Sequence, residues 1–143
     1  GDREARGEAL YGAWLAGMVL ASSGMAIHHK LCHTLGGTFA LPHAETHAVV
    51  LPYALAYNSG YVPETMSALR RSMGVADPVR ALWDFSRGLG LPQSLAELGM
   101  GQDGIATATQ LALQSAYWNP RPLVEEPLRD LIAYAWAGLQ PED

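Results

Sequence analysis

Residues 25–47 read Met25-Ala-Ile-His28-His29-Lys30-Leu-Cys32-His33-Thr-Leu-Gly36-Gly37-Thr-Phe-Ala-Leu41-Pro42-His43-Ala-Glu45-Thr-His47. All five histidines of the chain fall inside the twenty positions 28–47. His29 and His33 are four residues apart, as are His43 and His47, and on a helix that spacing places both members of a pair on one face. Gly36-Gly37 reads as a left-handed helix stop, Thr38 to Leu41 as a short apolar connector, and Pro42 as the opening of the next helix. The stretch therefore predicts two helices joined by a tight connector, with the two histidine pairs able to meet.

Working outward, Ala5, Ala9, Leu10, Ala13, Trp14, Ala16, Leu20 and Ala21 keep helical spacing in an Ala-rich segment, so one long helix is expected from about Arg3 to Leu35, kinked at Ser22-Ser23-Gly24. Downstream, the helix from Pro42 runs to Asn58-Ser59-Gly60, with a kink at Pro52. Pro63 starts a helix ending near Gly74, and Asp77-Pro78 is an N-cap and first-position pair for another that ends near Gly88. Ser94 with Glu97 forms a capping box for a short helix ending at Gly99. Asp103 to about Ser115 and Leu123 to Gly138 complete the set. No period-two strand is found, so the expectation is an all-α bundle of about seven helices forming one domain over residues 1–143.

The chain has 143 residues, 49% of them hydrophobic and 16% charged, which suits one compact core. Apolar runs are broken before about 18 residues, so no membrane span is expected. Nine Lys and Arg against fourteen Asp and Glu give a net charge of −5 without any basic run, which argues against nucleic acid. The single cysteine and the lack of a leader-like segment suggest a cytoplasmic setting. Gly99-Met-Gly101-Gln-Asp-Gly104 is literally G-x-G-x-x-G, yet no strand precedes it and no βαβ unit surrounds it, so it reads as an inter-helix loop.

The histidine window suits either a divalent metal, for which imidazole is a common ligand, or proton transfer near neutral pH. His28 points about 100° away from His29 and reads as a surface residue or a support for the others. His47 reads as a ligand, a hydrogen-bond support or a core histidine. Lys30, the only lysine, reads as a partner for an anionic substrate or as a solvated charge. Cys32 reads as a small buried residue, Glu45 as a histidine partner or a first-turn charge, and the aromatics at 14, 83, 117, 118, 134 and 136 as core.

Four segments together make the sequence recognisable: Glu8-Ala-Leu-Tyr-Gly-Ala-Trp-Leu-Ala-Gly17, Met25 to Gly37, Leu41-Pro-His-Ala-Glu-Thr-His47 with Leu51-Pro-Tyr53, and Tyr117-Trp-Asn-Pro-Arg-Pro122. They resemble the C-terminal helical domain of maleylacetate reductases, in the iron-containing alcohol dehydrogenase superfamily with its dehydroquinate synthase-like fold. The resemblance implies reduction of the carbon–carbon double bond of maleylacetate to 3-oxoadipate by NADH or NADPH, in the breakdown of aromatic compounds. It implies that His29 and His43 stand at two metal-ligand positions for iron or zinc and that His33 is the active-site histidine beside nicotinamide and substrate. His33 and His43 are then the expected catalytic residues, with His29, Lys30 and His47 binding a small dicarboxylic substrate. Family members also carry an N-terminal dinucleotide-binding domain and two further metal ligands that this chain lacks. The expectation is a fragment, or one subunit of a split enzyme, that does not bind the cofactor tightly by itself and meets its nucleotide domain in cis or in trans. Homo-oligomerisation is compatible with this. The alternative is a stand-alone helical domain whose histidine pocket serves cofactor-free binding, isomerisation or lyase chemistry on a small acid.

Overall fold

A computed structural model describes residues 1–114 and 117–142. Among these the chain is all-α, with seven helices and no strand: α1 Arg3–Ser22, α2 Ile27–Phe39, α3 His43–Ser59, α4 Pro63–Met73, α5 Pro78–Gly88, α6 Gly104–Gln114 and α7 Glu125–Ala137. The number agrees with expectation, but two differences offset each other. The long first helix is two helices, because the chain is extended at Ser23 and Ala26 and α2 leaves α1 at 93°. The short helix expected at Ser94 is a run of turns instead. Its capping contacts do form, with Glu97 N donating to Ser94 Oγ at 3.1 Å and Gln93 N donating to Glu97 Oε2 at 2.7 Å. The chain reverses at once, however, through Gly99 at φ +100°, and Leu95 N and Ala96 N donate to the Ala135 and Trp136 carbonyls of α7. The segment is stitched to a helix end before it can propagate one of its own.

Gly36-Gly37 does not stop α2. The helix continues to Phe39, and Ala40 adopts the left-handed conformation at φ 54°, the turn that buries Leu41. Pro42 is accordingly the N-cap of α3 and not its first residue. Helix α3 runs unbroken from His43 to Ser59 through Pro52. The other punctuation behaves as read: Asp77 Oδ1 accepts from Arg80 N at 3.0 Å, and Gly74 and Gly138 are left-handed caps. The expected end of α6 near Ser115 lies outside the described residues.

The core is built around α2 and α3. Ile27, Leu31 and Leu35, one turn apart on α2, are fully buried and meet Val50 and Tyr53 of α3, Ala108 and Ala112 of α6, and Leu128 and Ile132 of α7. Fully burying a Leu or Ile side chain stabilises by about 1.5–3 kcal/mol, so this stripe fixes how α2 rotates about its axis. With that stripe facing inward, the histidines one or two residues away are carried toward α3. Helices α4 and α5 close a smaller cluster of Ala56, Met66 and Val79.

Helix α1 is different. Asp2 caps it by accepting from Glu4 N and Ala5 N, yet none of its residues is buried. Leu10, Tyr11, Trp14, Leu15, Met18 and Val19 share one face and are exposed, and Ala9, Gly12, Ala13, Ala16 and Leu20 fill the other. A helix apolar all round belongs to an interior. The expectation that the aromatics are core fails for Trp14, 57% exposed, and Trp118, 73% exposed, while Trp83, Tyr117, Tyr134 and Trp136 pack on the core. Among the described residues, no single helix is long and apolar enough to cross a membrane.

Candidate active site

Helices α2 and α3 bring all five imidazoles into one group. Ring centroids lie 4.4 Å apart for His43 and His47, 5.0 Å for His29 and His47, 4.9 Å for His28 and His47, 6.3 Å for His33 and His43, and 6.4 Å for His29 and His33. His47 is the hub. The sequence spacing anticipated two facing pairs; the structure adds His28, which turns toward α3 and lies 3.1 Å from the His47 carbonyl through Nε2. A carbonyl can only accept, so Nε2 of His28 carries the proton. His33 and His43 are exposed and His28, His29 and His47 half-buried, so the group is a wall open on one side.

Crowding like groups disfavours their charged forms. Burial, followed by His28, His43, His29 and His33, pushes the His47 imidazolium down to about 4. Burial and the neighbours His33 and His43 lower His29, and burial with His29 lowers His28 against the opposing pull of its carbonyl contact. His47 is neutral at pH 7, and its Nε2 is buried with no hydrogen-bond partner among the described residues. Cys32 is buried as expected, and burial pushes its thiol up to about 12. Glu45 is exposed in the first turn of α3, the position of a dipole charge. Lys30 leaves the histidine face, its Nζ standing 5.7 Å from the Tyr117 ring centre.

Sequence reasoning missed what holds α2 in place. Ala26 offers no capping side chain, and Ile27 N donates instead to Asn119 Oδ1 at 3.3 Å, from 92 residues away. Asn119 pairs with Asn58 at the end of α3 through both amides, at 2.8 and 3.2 Å, and its Nδ2 also donates to the Arg121 carbonyl at 2.7 Å. The base of the histidine hairpin is thus pinned by an amide pair. The cleft lined by Tyr53, Tyr57, Arg121, Asp130, Tyr134 and Glu142 shares no residue with the histidine group. Nor does the G-x-G-x-x-G segment: a Cβ on Gly104 would come within 2.9 Å of the Phe39 ring, so that glycine serves the packing of α6 on α2.

Residues 1–136 match the description "Fe-containing alcohol dehydrogenase family, C-terminal". The chain belongs to this family. The chain is 54% identical over 140 residues to a maleylacetate reductase of Sphingobium indicum, covering 98% of this chain and 40% of that enzyme. The solved maleylacetate reductase of Agrobacterium tumefaciens superposes with a TM-score of 0.93 at 48% identity over 98% of this chain and 40% of its own. An iron-containing alcohol dehydrogenase from Corynebacterium glutamicum gives 0.87 at 43% identity, over 99% and 39%. The chain spans about two fifths of the length of these relatives.

The family name raises the question of iron. His43 stands close enough to His29 to disfavour its charged form, but two imidazoles fill only half of a four-ligand shell. Among the described residues, the one set of three ligand-bearing side chains that converges is His28, Cys32 and His47, which includes neither of them. The residues of this chain do not by themselves fit an iron centre at His29 and His43.

Proposed function

We propose that the chain forms the histidine-lined wall of the active site of an NAD(P)H-dependent maleylacetate reductase, acting with a dinucleotide-binding domain supplied in cis or in trans in the cytoplasm. The observation that carries this is the convergence of His29, His33, His43 and His47 on one open face, in a chain 54% identical to such a reductase. NADH or NADPH, held mainly by the other domain, would supply the hydride for one alkene carbon.

The residues of this chain then bind the dicarboxylate and complete the proton balance. Imidazole N–H groups of His29 and His43 hold a substrate carboxylate or a water, and His47 backs them. His33, exposed and stacked against His43, delivers a proton to the neighbouring alkene carbon, so that the double bond gains one hydride and one proton. Any iron or zinc at His29 and His43 would draw its remaining ligands from outside this chain, and no step above depends on it. In the full-length enzyme, His33→Ala is expected to lower turnover of maleylacetate, followed as NADH oxidation, by roughly 10²–10⁴-fold. Turnover within a few-fold of the parent would remove His33 from the chemistry.

A further inference from the structure

We propose that His28, Cys32 and His47 form a binding site for a Zn²⁺-class divalent cation, separate from the His29 and His43 pair. Their ligand atoms already lie within 4.8 Å of one another. His28 and Cys32 are one turn apart on α2 and His47 faces them from α3, so an ion would staple the two helices. One thiolate with two imidazoles is a borderline-soft set that selects zinc-like ions over magnesium or calcium, and three protein ligands leave a fourth position for water or a carboxylate.

Two further features of the group point to an ion. Histidine ligands characteristically donate their other ring N–H to a backbone carbonyl, which fixes the tautomer, and His28 does this through Nε2 to the His47 carbonyl at 3.1 Å, leaving the Nδ1 lone pair free. The second is His47 Nε2, buried with no hydrogen-bond partner among the described residues, a polar atom that a cation would satisfy. An ion here also withdraws His47 from the other imidazoles; that consequence rests on the proposed function, whereas the binding does not.

Cobalt(II) titrated into the metal-free full-length protein is the direct probe, since a coordinated thiolate gives a near-ultraviolet charge-transfer band that imidazoles alone do not. The expected result is such a band, lost in Cys32→Ala with at least tenfold weaker Zn²⁺ binding in competition with a chromophoric chelator, and retained in His29→Ala. Should Cys32→Ala fail to fold, His28→Gln at a half-buried position carries the test: it is expected to weaken Zn²⁺ binding at least tenfold. Binding without the band, a band unaffected by Cys32→Ala, unchanged affinity in His28→Gln, or no binding at micromolar metal would each overturn the proposal.

Discussion

Asn119 carries the sharpest structural expectation. Asn119→Ala removes four hydrogen bonds at once: those accepted from Ile27 N and Asn58 Nδ2 at 3.3 and 3.2 Å, and those donated to Asn58 Oδ1 and the Arg121 carbonyl at 2.8 and 2.7 Å. At roughly 0.5–1.5 kcal/mol net each, with the two longer bonds at the weak end and water able to reach part of the site, the loss comes to about 3 kcal/mol. For a domain of this size that corresponds to about 10 °C in Tm. Urea unfolding monitored by circular dichroism reads it directly, with an unchanged m-value showing that stability alone has moved. Asn119→Asp keeps the acceptor toward Ile27 N and Asn58 but loses both donors, and it should fall between parent and alanine variant. A cost below about 1 kcal/mol for Asn119→Ala, or an aspartate variant as damaged as the alanine one, would refute the reasoning that this amide pair anchors α2. Because His28 and His29 lie in the first turn after that anchor, turnover should fall with stability.

Other expectations concern glycine and acid. Gly104→Ala places a methyl 2.9 Å from the Phe39 ring and 3.1 Å from Met100 Cε, and should cost about 1–3 kcal/mol by overpacking in thermal unfolding, with no change in cofactor affinity. Acid should destabilise the fold, because His47 at about 4 lies below its ordinary value of 6.5 and the unfolded chain binds the extra proton between the two. The His47 contribution is complete above pH 6.5 and is lost progressively down to about 4. Allowing for the partial solvent access of the ring, it amounts to about 1 kcal/mol. His47→Gln should flatten that part of a Tm-against-pH curve; an unaltered slope would assign the acid sensitivity elsewhere.

The histidine wall was legible because its signal is local: a four-residue spacing written twice survives any rotation of the helices that carry it. The all-α class was legible for the same reason, through caps such as Asp77 and Gly138 that act within one turn. What stayed hidden depends on partners distant in sequence. Nothing beside Asn119 announces that it will cap Ile27, and Ser94 to Gly99 satisfies every local rule for a helix start yet gives its amides to α7. The Gly36-Gly37 stop failed because tertiary contact along α2 outweighed glycine's roughly 1 kcal/mol handicap, moving the reversal to Ala40, where Leu41 finds the core. The angle of His28 relative to His29 leaves open a surface place or a supporting one; only the position of α3 turns that angle into a contact with His47.

Helix α1, with no residue buried, divides the chain by the timescale on which its amide protons meet solvent. A lone helix of twenty residues frays and reforms on the microsecond scale in water, so its amides should exchange with deuterium almost as fast as local coil formation allows. From Ile27 onward, the amides of the buried stripe are released only by openings of the core itself. The boundary at Ser23 is therefore a kinetic one, with protection in α1 reporting on whatever covers its apolar faces and protection in α2 reporting on the fold that aligns the histidines.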